Sequence, residues 1–250
     1  MKREICKLLK MNPSEKIDYI KNEINMDLFD LVEEEEFYYI FIPKILNNDL
    51  SPFLCSHIDI VSNSAPKKLL IDNNIVTSKN GILGADDTSG VWIMLNLMKE
   101  NPNDFIFGFF DKEEVGTIGS RRFIKSSNFD ILLEKISFWL GLDRRGYNDM
   151  VTYRQENQKI IDVFEELGYK YKFGSFSDVT ILAKMSDISC INLSVGYNME
   201  HTSFESLNLN YMKNTLNRIK QLPREAWNIK YDIDNKINYK NFEKKLDLYL

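Results

Sequence analysis

Hydrophobic residues occur along this chain in two patterns, helical spacing and continuous apolar runs. Segments of the two kinds alternate. Helical spacing of the apolar positions predicts helices over residues 3–11, 14–24, 88–100, 157–169, 177–185 and 210–222, with a further helix over 238–250. Largely apolar runs predict strands over residues 37–43, 53–60, 104–111, 136–143 and 187–197. Because strands alternate with helices, the pattern is typical of an α/β fold with a largely parallel sheet.

Polar residues between these segments predict where they begin and turn. Ser14 is a candidate N-cap for the second helix, since its hydroxyl could accept a free backbone N–H of the first turn. Residues 68–79 read as two short strands around Asn73 and Asn74. Asparagine tolerates the left-handed backbone of a tight turn, so a β-hairpin is predicted there.

The composition is that of an ordinary globular protein. The chain has 250 residues, 44% hydrophobic and 28% charged, without a repeat, a low-complexity segment or a linker. We therefore predict a single domain over residues 1–250. The net charge of −5 offers no basic surface for nucleic acid, which is excluded as a partner. The acidic run at 33–36 is interpreted as a solvated surface.

The cysteines and the start of the chain bear on the compartment. Cys6, Cys55 and Cys190 are odd in number and widely spaced, which favours a reducing compartment and no disulfide framework. Lys10 interrupts the apolar stretch near the start after three residues, so no signal peptide or membrane span is expected there. We predict a cytoplasmic protein without a membrane partner.

Acids and both histidines of the chain follow the predicted strands at their carboxyl ends. They are His57, Asp59, Asp111, Glu113, Glu114, Asp143 and His201. Open α/β sheets bind ligands at that edge, so these side chains are expected to meet at one site. Asp86 and Asp87 stand together where an apolar stretch gives way to a helix. Buried like charges of this kind require a positive partner.

The residue types at these positions fit a pair of metal ions. Zinc binds imidazole nitrogen and carboxylate oxygen, and a catalytic zinc keeps one position open for water. Two ions about 3.5–4 Å apart need a shared carboxylate to offset their repulsion. Asp86 or Asp87 could be that carboxylate, and the ions would be the positive partner of the two acids. We therefore expect two zinc ions, with cobalt or manganese as alternatives.

Six short motifs occur in an order that resembles a known family. They are "SHID", "GILGADDTSG", "DKEEVGTIGS", "GLD", "GSFSDVTIL" and "GYNMEHTSFESL". From about residue 53 to about residue 220 the chain resembles the co-catalytic di-zinc exopeptidases, the clan with peptidase T, the glutamate carboxypeptidase group and the di-zinc aminopeptidases. The resemblance implies a three-layer α/β fold, in which helices flank a central mixed, mostly parallel sheet.

The resemblance also implies a role for each residue that matches a motif. His57 and Asp143 would bind the first zinc, and Asp59 would hold the His57 imidazole in the required orientation. Asp86 would bridge both ions. The peptide bond between Asp86 and Asp87 would be cis, as it commonly is in this family.

The remaining roles concern the second zinc and the chemistry. Glu114 and His201 would bind the second zinc, and Glu113 would be the general base. Asp178 matches a family segment in which it is expected to be structural. The implied reaction is metal-assisted amide hydrolysis, in which Glu113 moves a proton from water to the leaving amine.

Many relatives carry an inserted lid or dimerisation domain, and this chain has no room for one. Only 34 residues separate Asp143 from Asp178, and only 28 separate His57 from Asp86. The resemblance therefore implies a bare catalytic core without an inserted lid domain.

Without a lid, several groups are candidates to stabilise the oxyanion of the tetrahedral intermediate. Zinc, a backbone N–H, Tyr197 or an arginine could hold it. Arg144 and Arg145 are candidates, although they could instead pair with acids. Lys112 stands next to Glu113, where it could lower the pKa of that carboxyl or extend into solvent.

These observations predict a di-zinc metallohydrolase that cleaves amide bonds of short peptides, and an exopeptidase of the aminopeptidase type is favoured. An N-acyl amino acid deacylase or a dipeptidase of the same clan is the alternative enzyme, so the substrate is a short peptide or an acylated amino acid.

A protein that binds metal or a partner without turnover is the alternative of another class. The presence of Glu113 argues against it, because an inactive relative has no need for a base. The oligomeric state stays open.

Overall fold

A computed structural model describes residues 1–61 and 68–234 of the chain. The helices in these ranges are α1 (Lys2–Leu8), α2 (Pro13–Glu23), α3 (Ala85–Glu100), α4 (Ile118–Phe123), α5 (Ser127–Leu133), α6 (Gln158–Glu166), α7 (Asp178–Ser186) and α8 (Leu209–Ile219). The strands are β1 (Phe29–Glu34), β2 (Tyr38–Pro43), β3 (Ser51–His57), β4 (Leu69–Asp72), β5 (Ile75–Ser78), β6 (Ile106–Phe110), β7 (Ile136–Arg144), β8 (Asp149–Val151), β9 (Lys170–Tyr171), β10 (Cys190–Ser194), β11 (Tyr197–Asn198) and β12 (Ser206–Asn208). Short 3-10 turns lie at Met26–Leu28 and Arg224–Ala226.

An eight-stranded sheet runs through the centre of the molecule in the order β1-β2-β6-β3-β7-β10-β8-β9. The four strands β6, β3, β7 and β10 are parallel to one another. At one edge β1, β2 and β6 pair antiparallel, and at the other β8 pairs antiparallel with β10 and parallel with β9. The prediction of a mixed, mostly parallel sheet is confirmed.

Helices cover both faces of this sheet. Successive strand residues face opposite sides. Phe53 and Cys55 of β3 pack in an apolar cluster with residues of α4, α5 and α7, whereas Leu54 between them packs with residues of α1, α2, α3, α6 and α8. Burial on both faces is why the central strands read as continuous apolar runs. The three-layer architecture is confirmed.

A second, antiparallel sheet of four strands has the order β11-β12-β5-β4. Its β4–β5 hairpin is the one predicted from the sequence, and Asn73 and Asn74 at the turn have φ angles of 44° and 68°. Strands β11 and β12 are too short to show a pattern in the sequence. The loop that joins them, residues 199–205, carries His201.

The start of α2 differs from the prediction. The N-cap is Asn12 rather than Ser14, and Pro13 occupies the first helical position. Asn12 accepts the N–H of Glu15 at 2.9 Å, and the Glu15 carboxylate accepts the N–H of Asn12 at 2.9 Å. Asn12 is the better cap because this reciprocal pair satisfies two backbone donors at once.

Several strand boundaries also differ from the predicted ones. The strand predicted over 53–60 begins earlier and ends at His57, so that Asp59 lies in the loop beyond it. The strand predicted over 187–197 is limited to β10, since Gly196 has a φ of 101°. The edge strand β1 was not predicted, and it includes part of the acidic run. The helix predicted over 238–250 lies outside the described residues.

No helix within the described ranges is both long enough and apolar enough to cross a membrane.

Candidate active site

The carboxyl ends of β3, β6 and β7 meet at one edge of the central sheet and border a cleft. The strands are parallel neighbours, so residues far apart in sequence are brought together where the strands end. The cleft has a volume of about 180 Å³. Six residues predicted for the site line it: His57, Asp86, Glu113, Glu114, Asp143 and His201. Asp59, the seventh, lies behind His57.

His57 is the last residue of β3 and is 2% exposed. Its Nδ1 lies 3.2 Å from Asp59 Oδ1, and its Nε2 lies 3.1 Å from Asp86 Oδ1. Burial disfavours the protonated ring, but the hydrogen bonds with Asp59 and Asp86 raise the pKa of His57 well above its usual range. Asp59 also accepts the backbone N–H groups of Glu113 and Glu114, at 3.1 and 3.2 Å. Asp59 thus connects β3 to the loop after β6.

Asp86 contacts both histidines. Its Oδ1 is 3.1 Å from His57 Nε2, and its Oδ2 is 3.2 Å from His201 Nε2. Burial raises the pKa of Asp86, but its hydrogen bonds with His201 and His57 outweigh burial and lower it. The peptide bond to Asp87 is cis, as the resemblance implied. The Asp86 carboxylate therefore lies between the two imidazoles.

Asp87 turns away from the cleft and is fully buried. Its carboxylate accepts the N–H of Gly90 at 3.0 Å and the hydroxyl of Ser56. Burial raises the pKa of Asp87 well above its usual range. A Cβ at Gly90 would lie 2.1 Å from the Leu142 carbonyl oxygen, so only glycine fits there. The adjacent acids thus divide: Asp86 faces the cleft, and Asp87 caps the regular part of α3.

Glu114 and His201 form the outer side of the cleft. Glu114 Oε1 lies 2.9 Å from His201 Nε2. Burial raises the pKa of Glu114 to about 7. The hydrogen bond with Asp86 raises the pKa of His201 to about 9, although 46% of this side chain is exposed. His201 has a φ of 62° in the loop between β11 and β12.

Glu113 also lines the cleft, but it is held through its backbone rather than through its carboxylate. Its backbone N–H donates to Asp59, whereas its carboxylate has no hydrogen bond to any residue in the described ranges. Burial raises the pKa of this carboxyl. Glu113 is therefore a carboxylate at the cleft that the protein leaves without a fixed partner.

Asp143, near the end of β7, is the most firmly fixed acid of the site. Its Oδ1 accepts the Tyr197 hydroxyl at 3.0 Å, and its Oδ2 accepts the Ser177 hydroxyl at 3.0 Å. The Asn192 side chain pairs with the backbone N–H and C=O of Asp143, both at 2.9 Å. Burial, reinforced by the charge of Asp86, raises the pKa of Asp143 well above its usual range.

Asp178 lies outside the cleft lining. It is buried at the start of α7, where the Ser120 hydroxyl donates to its Oδ1 at 2.5 Å. Lys112 does not face Glu113, because its Nζ lies 4.4 Å from the centre of the Phe37 ring and 3.5 Å from Glu36 Oε2. Lys112 therefore belongs to the surface.

Two residues near the site have no counterpart in the sequence reasoning. Glu205 is buried, and its carboxylate accepts the N–H groups of Leu83 and Gly84, both at 2.8 Å, and of Asp86 at 3.0 Å. Only its position four residues after His201 could have drawn attention to it. It fixes the segment that carries Asp86 from 119 positions away.

Lys16 of α2 is the second residue that was missed. Its Nζ donates to the Ile58 carbonyl at 2.7 Å, next to His57, and the side chain is 1% exposed. Burial lowers its pKa to about 8, against the opposing effect of Asp59. A lysine beside the apolar Ile17 and one turn from Ile20 was the available signal, since such a position faces the core.

The donor set fits divalent cations. His57, Asp86 and Glu114 offer ligand atoms within 4.8 Å of one another, and Asp143 Oδ1 lies 3.7 Å from His57 Nε2. Burial raises the pKa values of Glu114 and Asp143, and the negative charge of Asp86 beside them raises both further, so the cleft concentrates negative charge. Imidazole nitrogen with carboxylate oxygen is a set that zinc accepts.

Comparison with known proteins identifies the family of this chain. The model of peptidase family M28 matches residues 46–245. No match is found among curated proteins.

Solved structures share the fold. Aminopeptidase PepT from Bacillus cereus has 14% identity and a TM-score of 0.72, and the match covers 90% of this chain and 97% of that one. A tripeptidase from Staphylococcus aureus has 14% identity and a TM-score of 0.72, over 89% and 96% of the two chains. A Zn-dependent exopeptidase from Parabacteroides distasonis has 14% identity and a TM-score of 0.64, over 90% and 95%.

Proposed function

This chain belongs to peptidase family M28, and on that premise we propose that it is an exopeptidase of the aminopeptidase type that uses two zinc ions. The position of Asp86 supports this proposal best, because its two oxygens lie within hydrogen-bonding distance of the two histidines. Proteins of the same fold include an aminopeptidase and a tripeptidase. Short peptides are accordingly the proposed substrates.

The residues of the cleft would divide between the two ions. His57 and Asp143 would hold the first, Glu114 and His201 the second, and Asp86 would contact both. Bound zinc supplies Lewis acidity, which polarises a carbonyl and lowers the pKa of water. Cobalt or manganese could replace zinc, since the same nitrogen and oxygen donors accept them.

Glu113 is the proposed general base. Its carboxylate faces the cleft without a fixed partner, so it can accept a proton from the attacking water and deliver it to the leaving amine. Burial raises its pKa, which brings the carboxyl closer to the operating pH of a proton shuttle. Asp59 keeps the His57 ring in place and fixes the backbone of Glu113, so one carboxylate orients both groups.

The substitution Glu113→Gln tests this assignment. Glutamine keeps the shape but cannot accept the proton, so hydrolysis should fall by about 10²- to 10⁴-fold while the metal content is unchanged. Zinc, cobalt and manganese contents would be measured by mass spectrometry, and kcat/KM on aminoacyl, N-acyl and dipeptide substrates.

Glu166→Gln is the matched control. Glu166 is exposed on α6 and does not line the cleft, so this substitution removes the same charge away from the site. Parental activity in Glu113→Gln would refute the role of the base. A protein that binds no divalent ion in metal-replete buffer would refute the proposed function itself. If N-acyl substrates were cleaved faster than aminoacyl substrates, the protein would be assigned as a deacylase instead of an aminopeptidase.

A further inference from the structure

Two consecutive arginines line the cleft, and they differ in their partners. Arg145 Nη1 lies 2.9 Å from Glu200 Oε1, and 58% of the Arg145 side chain is exposed. Arg144 is half-buried, and its Nε is covered without a hydrogen-bond partner. Within residues 1–61 and 68–234 its guanidinium forms neither a hydrogen bond nor an ion pair.

An irregularity at the end of β7 places Arg144 at the cleft. Asn192 of β10 pairs with Gly141 of β7. Ser194, two residues further along β10, pairs with Arg144, which is three residues further along β7. The extra residue breaks the alternation that would send neighbouring side chains to opposite faces. Asp143 and Arg144 can therefore both line the cleft.

A half-buried guanidinium without a partner has lost part of its hydration and gained no anion in exchange. Under the proposed function, three acids of the lining would hold the metal ions and Glu113 would transfer the proton, while Glu200 pairs with Arg145. Arg144 then remains as a positive charge in the lining of the cleft, next to Asp143 in the chain. The planar fork of arginine matches a carboxylate with two parallel hydrogen bonds.

We propose that Arg144 is a specificity residue that binds a carboxylate of the substrate close to the scissile bond. This inference rests on the proposed peptidase function. Such a carboxylate has two sources in a short peptide: the free C-terminus of a dipeptide, or the side chain of an acidic residue beside the bond. Both present the same planar anion to the guanidinium.

Four substrates separate these sources and test the proposal. They are Ala-Ala, its C-terminal amide, Glu-Ala amide and Gln-Ala amide, assayed with the zinc-loaded wild type and Arg144→Met. The wild type should prefer the member with the extra carboxylate in at least one pair. Arg144→Met should lower kcat/KM for that member by about 10- to 100-fold, mainly through KM, and change its neutral counterpart by less than about threefold.

The pair that shows the selective loss identifies the source of the carboxylate. Arg144→Lys keeps the charge without the fork, so an intermediate loss is expected. Arg145→Met removes the same charge from the same cleft and should affect both members of each pair alike. Equal effects of Arg144→Met on all four substrates would overturn the proposal, and a loss in kcat for all would assign Arg144 to the oxyanion instead.

Binding measurements separate this proposal from the proposed function. If the wild type hydrolysed none of the four, the proposed aminopeptidase activity would fail, and calorimetry with the same four compounds would still test Arg144. Selective weakening of the carboxylate-bearing member in Arg144→Met would support the proposal, and equal binding by both proteins would overturn it. Thermal melting of each variant shows that it is folded.

Discussion

The acids and histidines of the cleft form two halves that offer the same ligand chemistry but are fixed differently. The inner half, His57, Asp59 and Asp143, lies at the ends of β3 and β7. The outer half, Glu114 and His201, lies on loops. The side chain of His57 is 2% exposed, and that of His201 is 46% exposed.

This difference separates residues that contribute to folding from residues that contribute mainly to metal binding. In the inner half, buried side chains hold each other through hydrogen bonds, so the geometry exists before an ion arrives. In the outer half, Asp86 and Glu114 are the residues that hold the His201 imidazole in the described part of the chain. Substitution in the inner half should therefore affect both stability and activity, whereas substitution of the half-exposed His201 should affect mainly activity.

The largest effect is expected where the halves meet, at Asp86. Asp86→Asn removes the charge that both ions would share, so both should be lost, and kcat/KM should fall by at least about 10³-fold, equivalent to about 4 kcal/mol. Metal content and kcat/KM measure this outcome. Retention of both ions at wild-type affinity would show that Asp86 does not join the halves.

Asp87→Asn is the matched control for Asp86→Asn. The asparagine amide has nearly the same shape as the buried carboxyl group and keeps the oxygen that accepts the Gly90 N–H. Both ions should remain, with less than about a tenfold change in kcat/KM. Loss of metal from this variant would contradict the division between the two aspartates.

The second prediction compares how much each histidine contributes to the free energy of unfolding of the metal-free protein. His57→Ala leaves Asp59 and Asp86 without their shared partner in a buried position, so the free energy of unfolding should fall by about 3–5 kcal/mol. His201→Ala should lower it by no more than about 1 kcal/mol, because 46% of the side chain is exposed and solvent screens its ion pairs with Asp86 and Glu114. Urea denaturation measures both. Equal losses would remove the distinction between the halves.

The smallest effect concerns Lys16, which donates to the Ile58 carbonyl next to His57 of the inner half. Its pKa is lowered from 10.5 to about 8 in the folded chain, so between these values the unfolded chain binds more protons. Titration of Lys16 should therefore contribute a rise of about 1 kcal/mol in the free energy of unfolding of the metal-free protein between pH 7 and pH 9, opposite in sign to the contributions of His57 and His201, whose pKa values are raised. Lys16→Met should abolish that rise. An unchanged slope would show that Lys16 is charged and solvated alike in both states.

Much of the fold could be predicted because its signals are local. The apolar runs of β6 and β7 and the turn at Asn73 and Asn74 each depend on neighbouring residues. The cap at Asn12 was misassigned because two polar residues flank Pro13, and only the contact with Glu15 decides between them. Strand β1 was missed because it lies at an edge and lacks a continuous apolar run.

The sequence by itself determined which chemistry the chain can perform, since the order of strands and the acids that follow them place imidazoles and carboxylates at one edge of a parallel sheet. The resemblance already favoured Asp86 over Asp87 for the cleft. Only the tertiary structure decided that Asp87 is buried as a cap of α3 and that Arg144, rather than Arg145, lacks a partner among the described residues. It also brought Lys16 and Glu205 to the site. Periodicity is a property of neighbours in the chain, whereas burial and partnership arise from residues that meet only after folding.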